Sequence, residues 1–221
     1  MNQPILCYVT DRKTLSSTAR GDAAALLDCI AQAACAGVDW IQLREKDLEG
    51  RALLELAGKA VAAGDVAAAS RAAGQPARIL VNDRLDVAWA ARAAGVHLGE
   101  NSVPAGEVTR WRNRAGRPGF QVGASCHSLE AAEQAAADGA DYLFFGPVFA
   151  TPSKQAFGPP QGLLRLERVC RAVSLPVLAI GGITPQNAGA CLHAGAAGVA
   201  AIRLFQQAPE LVAAAISQIR S

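Results

Sequence analysis

The chain has 221 residues, of which 51% are hydrophobic, 18% charged and 5% aromatic, a balance that excludes intrinsic disorder and asks for a core of Ala, Val, Leu and Ile. Twenty-one basic against nineteen acidic residues leave a net charge of +2. With no block of like charge of the kind that marks a polyanion-binding arm, nucleic acid is not an expected partner.

The opening Met1-Asn2-Gln3-Pro4 puts no basic segment ahead of an apolar stretch, so no secretory signal is expected. Apolar runs predict strands at Ile5–Val9, Asp39–Leu43, Arg78–Val81, Val96–Leu98, Phe120–Gly123, Tyr142–Phe145, Val177–Ile180 and Val199–Ile202. Helical patterns fall between them, among them Asp22–Ala36, Gly50–Ala63, Leu85–Ala94, Leu129–Ala137 and Pro185–Ala194. A recurring element organises the series. An Ala-rich helix ends in a small residue with Gly and leads into an apolar run: Ala36-Gly37-Val38-Asp39, Ala94-Gly95-Val96, Asp138-Gly139-Ala140-Asp141 and Ala194-Gly195-Ala196. Gly there fits a left-handed helix cap before a buried parallel strand. The stretch from Ala172 to Ile202 carries no Lys, Arg, Asp or Glu, long enough on paper for a membrane span. Pro176, Gly181, Gly182 and Pro185 instead divide it into strand, turn, helix and strand, so no membrane association is expected. Six cysteines without a Cys-x-x-Cys pair read as reduced core residues of a cytoplasmic protein.

Eight strand–helix pairs without a linker predict one α/β domain over residues 1–221, a closed (β/α)8 TIM barrel. The open-sheet alternative lacks a G-x-G-x-x-G after the first strand. In a barrel the chemistry belongs at the C-terminal ends of the strands. After the second strand, Gln42, Arg44 and Lys46 alternate and share a face if the chain stays extended, and two inward cations with an amide suit a diphosphate. The plain alternative is a solvated rim with Arg44 paired to Glu45. After the third strand, Asn82 and Asp83 end an apolar run abruptly. Asp83 is a candidate ligand for Mg2+, which takes one or two carboxylates plus phosphate oxygens, or one of the pair caps the next helix. The fourth strand ends His97-Leu98-Gly99-Glu100-Asn101-Ser102, and the fifth Ser125-Cys126-His127, with His127 either functional or simply the residue before a helix. The long connection holding Thr151, Ser153 and Lys154 reads as a lid or a surface loop. Gly181 and Gly182 offer backbone amides before a helix, a phosphate cradle on many barrels, or they serve close packing. Ile202 and Arg203 complete that corner. His97, His127 and His193 are isolated, and neither H-E-x-x-H nor G-x-S-x-G occurs.

Taken in order, Tyr8-Val9-Thr10-Asp11, Gln42-Leu43-Arg44-Glu45-Lys46, Val81-Asn82-Asp83-Arg84, Gly95-Val96-His97-Leu98-Gly99, Gly146-Pro147-Val148-Phe149 and Ile180-Gly181-Gly182-Ile183 resemble the thiamine phosphate synthase/TenI family from Tyr8 to Phe205. The resemblance implies a (β/α)8 barrel that joins hydroxymethylpyrimidine diphosphate to a thiazole phosphate and releases pyrophosphate with Mg2+ as cofactor. It assigns Gln42, Arg44, Lys46 and Asn82 to the pyrimidine diphosphate, Asp83 to Mg2+, Ser125 to the pyrimidine, Thr151 and Ser153 to the thiazole, Lys154 to the diphosphate, and Gly182 to the thiazole phosphate. Two positions depart from the synthase pattern. Ser102 stands where the second Asp ligand is usual, leaving Glu100 as a substitute to consider, and Arg203 stands where Ser is usual. TenI-type members tautomerise the thiazole instead, but the histidine they use for proton transfer falls at Pro147. The expectation is thus a synthase acting on small phosphorylated substrates. A TenI-type tautomerase and a non-catalytic phosphate-ligand binder on the same barrel are the alternatives, and homo-oligomerisation is left open.

Overall fold

A computed structural model describes residues 3–15, 22–69, 75–151, 159–206 and 209–221. Eight parallel strands close into a barrel in chain order: β1 Ile5–Val9, β2 Trp40–Leu43, β3 Arg78–Asn82, β4 Gly95–Leu98, β5 Gln121–Cys126, β6 Tyr142–Phe145, β7 Val177–Ile180 and β8 Gly198–Ala201. The expected fold class is therefore the observed one. Every residue of β2, β4, β6 and β8 is buried, as befits parallel strands covered on both faces. Among the described residues no helix is long and apolar enough to cross a membrane. The chain groups into two compact units, Leu6–Val96 with Ile202–Ser221, and Met1–Ile5 with His97–Ala201.

The first unit carries α1 Asp22–Ala36, α2 Gly50–Ala68, α3 Leu85–Ala90, α8 Arg203–Gln206 and α9 Val212–Arg220. β1 and β2 pair with Val9 opposite Gln42, and β2 and β3 with Gln42 opposite Leu80. Thr10 extends the first ladder by one bond, its amide donating to the Gln42 carbonyl at 2.9 Å. The second unit carries α4 Ala105–Arg114, α5 Leu129–Ala137, α6 Gly162–Ala172 and α7 Pro185–His193. There β5, β6, β7 and β8 pair in turn, with Ser125 opposite Phe144 and Ile180 opposite Ala200.

The recurring Gly motif performs the same structural task in each unit. Gly37 and Gly139 take φ of +105° and +81°, the left-handed conformation that ends a helix at little cost only when Cβ is absent. The Asp two residues later then anchors the strand entry. Asp39 accepts the Leu6 amide at 2.9 Å and pairs with Arg220 at 2.8 Å, while Asp141 accepts the Val122 amide at 2.7 Å and pairs with Arg112. Gly95 breaks the pattern because α3 stops at Ala90 rather than Ala94, and Arg92 takes the positive φ of +54° instead. β5 also runs three residues beyond the expected Gly123, which brings Ser125 into the ladder.

Candidate active site

The first unit builds an anionic clamp and an array of polar groups where β1, β2 and β3 end. Glu45 is 4% exposed. It accepts from Thr10 Oγ1 at 2.6 Å, from the Arg12 amide and from Arg12 Nη1 at 3.1 Å. Arg12 also reaches Asp47 through two nitrogens at 2.7 and 2.8 Å, holding that carboxyl well below the usual carboxylate range, with Lys13 adding to the effect. The Thr10 hydroxyl in turn accepts the Arg44 amide at 3.0 Å. The alternative pairing of Arg44 with Glu45 is therefore not formed. Among the described residues neither the Arg44 guanidinium nor the Lys46 ammonium is in an ion pair. The alternation expected for Gln42, Arg44 and Lys46 stops at Arg44. The strand ends at Leu43, the Leu48 amide closes a turn onto the Glu45 carbonyl at 3.1 Å, and Lys46 lies exposed within that turn.

Gln42 is buried and donates through Nε2 to Asn82 Oδ1 at 3.3 Å, and Asn82 Nδ2 donates to Asp83 Oδ2 at 2.7 Å. Asp83 adopts φ +60°, a left-handed conformation that costs a non-glycine residue about 1–2 kcal/mol and that Asp tolerates better than most. The alternative that Asn82 or Asp83 occupies the helix cap is not realised, since the N-cap of α3 is Arg84 and no side chain caps it. Asp83 is thus an exposed, oriented carboxylate at a strand end, a hard oxygen donor of the kind Mg2+ takes. Among the described residues no three His, Cys, Asp or Glu side chains form a metal-holding cluster. Arg203 opens α8 and is exposed, and Ile202 lies half-buried just beyond β8.

The second unit presents Ser125 at the end of β5. Its Oγ lies 2.9 Å from His97 Nε2, and His97 Nδ1 lies 3.0 Å from the Tyr142 hydroxyl. His97 is 1% exposed and Tyr142 is fully buried. Next to Ser125, burial and the charge of Glu100 push the Cys126 thiol up to about 12, which keeps it protonated and inert. His127 donates from Nδ1 to the Gly146 carbonyl, and Ser128 rather than His127 caps α5, accepting the Ala131 amide at 3.1 Å. Ser102 accepts the Gly99 amide at 2.7 Å through its hydroxyl while its own amide donates back to the Gly99 carbonyl at 3.1 Å. That hydroxyl closes its own turn, and Glu100 is exposed in the same turn.

Gly181 and Gly182 serve close packing first. Phe149 donates its amide to the Gly181 carbonyl at 3.0 Å, and a Cβ on Gly181 or Gly182 would meet Pro147 at 2.5 Å or the Ala150 carbonyl at 2.7 Å. α7 starts with a capping box in which Thr184 and Asn187 satisfy each other's amides. The amides of Gly182 and Ile183 keep no acceptor among the described residues, so part of the expected cradle is available to an anion. Thr151 is half-buried beyond that segment. Ser153 and Lys154, with most of the expected lid, lie outside the described residues.

The family model described as thiamine monophosphate synthase matches residues 6–205. The chain belongs to the thiamine monophosphate synthase family. A thiamine-phosphate synthase from Roseiflexus castenholzii is 44% identical over 95% of this chain and 84% of its own length. One from Methanoculleus marisnigri is 48% identical over 84% of this chain and 82% of its own length. The solved structure of a thiamine phosphate pyrophosphorylase from Pyrococcus furiosus matches with a TM-score of 0.78 at 31% identity, covering 98% of this chain and 93% of that one.

Within this family member, the sequence reading misses the Thr10–Glu45–Arg12 clamp and the partners of His97. Thr10 and Glu45 stand inside motifs already singled out. A Glu between two cations was the available signal, but which cation it pairs with depends on the chain path after β1.

Proposed function

We propose that this chain is a thiamine-phosphate synthase, joining the methylene of hydroxymethylpyrimidine diphosphate to the nitrogen of a thiazole phosphate and releasing pyrophosphate. The observation that supports this reading most is the pair of cations, Arg44 and Lys46, kept out of ion pairs among the described residues while the intervening Glu45 is engaged by Thr10 and Arg12. A thiazole tautomerase has no evident use for a diphosphate receptor, and Pro147 cannot carry the proton that reaction moves.

In the first unit, Arg44 and Lys46 receive the diphosphate, and Gln42 and Asn82 orient it. Asp83, aimed by Asn82, would hold Mg2+ together with diphosphate oxygens, and the ion when bound neutralises charge on the departing pyrophosphate. As the C–O bond breaks, its electron pair leaves with the pyrophosphate, and Arg44 and Lys46 stabilise the growing negative charge electrostatically. The family resemblance assigns Lys154 to the diphosphate as well. In the second unit, Ser125 holds the pyrimidine, Thr151 and Ser153 the thiazole, and the backbone of Gly181 and Gly182 its phosphate. In the first unit, Ile202 and Arg203 stand at the positions that the family resemblance gives to the thiazole phosphate. The thiazole nitrogen supplies the electron pair of the new C–N bond, so no protein base is needed and alignment with exclusion of water carries the step. Ser102 acts as a loop closer, and the metal depends on Asp83 and the diphosphate.

Expression of this chain in cells lacking their own thiamine-phosphate synthase tests the reading. Growth without added thiamine is expected, and abundant soluble protein without growth contradicts it.

A further inference from the structure

His97 uses both ring nitrogens within the second unit, at 3.0 Å to the Tyr142 hydroxyl and 2.9 Å to Ser125 Oγ. The ring is fixed by packing as well as by these bonds. Its centroid lies 4.2 Å from that of Phe144, and the Tyr142 ring fills the space where a Cβ on Gly123 would fall, 2.0 Å from Cζ. A neutral imidazole has one donor and one acceptor nitrogen, so the role set at one end decides the role at the other. The Tyr142 phenol is fully buried, its proton calls for an acceptor, and Nδ1 stands within reach. With Nδ1 accepting, the ring hydrogen lies on Nε2 and is donated to Ser125 Oγ. The half-buried hydroxyl of Ser125 then has its own proton left to give.

We propose that His97, set in the Nε2–H tautomer by Tyr142, is a positioning residue that fixes Ser125 as a hydrogen-bond donor to a ring nitrogen of the pyrimidine substrate. This rests on the synthase reading given above. A hydroxyl without such a neighbour rotates between donating and accepting. Here the His97 N–H occupies one lone pair and turns the serine proton away from His97, so the site favours an in-plane lone pair and disfavours an analogue with C–H in that place, against which the serine proton is left unpaired.

The first arm of the test uses the substrate-free protein. Nitrogen-15 resonances of His97, assigned by their loss in His97→Gln, should show the proton on Nε2 and none on Nδ1, and a proton on Nδ1 overturns the proposal. The second arm is a double-mutant cycle. Ser125→Ala and Tyr142→Phe should each raise KM for the pyrimidine diphosphate about tenfold, one lost hydrogen bond's worth, with KM for the thiazole phosphate unchanged. The double variant should be no worse than Ser125→Ala alone. Additive losses, or equal effects on both substrates, mean that Tyr142 only supports the fold and overturn the proposal. A wild-type protein that makes no thiamine phosphate overturns the synthase reading and the substrate assigned to Ser125, whereas the tautomer result judges the relay separately.

Discussion

Thr10 and Glu45 are joined by a 2.6 Å hydrogen bond, and through it β1 decides what the loop after β2 offers. The carboxylate that could have neutralised Arg44 or Lys46 is spent on Thr10 and Arg12, and the same hydroxyl steadies the Arg44 backbone. Glu45→Ala should strip the half-buried Arg12 amide and the Thr10 hydroxyl of their acceptor and leave the Arg12 guanidinium with Asp47 alone. A loss of about 3 kcal/mol in urea denaturation is expected, the scale of a broken buried ion pair. A loss under 0.5 kcal/mol, the usual range for surface changes, would show that the clamp carries no weight.

Arg44→Ala should do the reverse, because the guanidinium makes no ion pair among the described residues. Stability should stay within about 0.5 kcal/mol of the parent. kcat/KM for the pyrimidine diphosphate should fall on the order of 100-fold or more, near 3 kcal/mol of transition-state stabilisation. Wild-type turnover in this variant removes Arg44 from the diphosphate site.

Asp83 holds a left-handed backbone with φ of +60°. Asp83→Gly should raise stability by up to about 1 kcal/mol by relieving that conformation, offset in part by glycine's larger unfolded-state entropy, while activity is nearly abolished. Asp83→Ala should lose both. An active Asp83→Gly enzyme contradicts the metal role, whatever its stability.

The Ser102 hydroxyl accepts the Gly99 amide at 2.7 Å, a task a carboxylate oxygen performs equally well. Ser102→Asp should therefore keep the turn and restore the residue usual in the family's pattern, lowering the metal concentration for half-maximal rate about tenfold, the equivalent of 1.4 kcal/mol. An unchanged metal requirement places the ion away from this turn.

The thiols supply a pH dependence. Burial pushes Cys126 up to about 12 and Cys170 and Cys191 up to about 11, from an ordinary value of 9.0. A folded-state value above the unfolded one contributes stability that is complete below pH 9 and is lost as pH rises through the folded values. Denaturation midpoints should fall steadily from pH 9 upward, and at pH 8 Cys35, the exposed thiol, should react first with a disulfide reagent. A midpoint flat from pH 8 to 11 contradicts the burial of these groups.

The fold was legible because parallel barrel strands are buried on both faces and stand out as apolar runs. The Gly-x-Asp entry at Asp39 and Asp141 repeats because each strand must be anchored where a helix ends. The strand ends were legible as polar residues cutting those runs short. What the sequence left open was which polar groups are already used. Gln42, Asn82 and Asp83 form one chain of hydrogen bonds across two strands, and Ser125 finds His97 and Tyr142 on two others. Pairings of this kind depend on strand register, which local periodicity does not encode. Gly95 misled for a related reason, since the helix before it stops early and hands its cap to Arg92.

The most direct test mixes the purified protein with hydroxymethylpyrimidine diphosphate, thiazole phosphate and Mg2+ and follows thiamine phosphate and pyrophosphate together. Equal amounts of the two products, formed only when both substrates and the metal are present, are predicted. Absence of thiamine phosphate, or pyrophosphate released without it, would contradict the account.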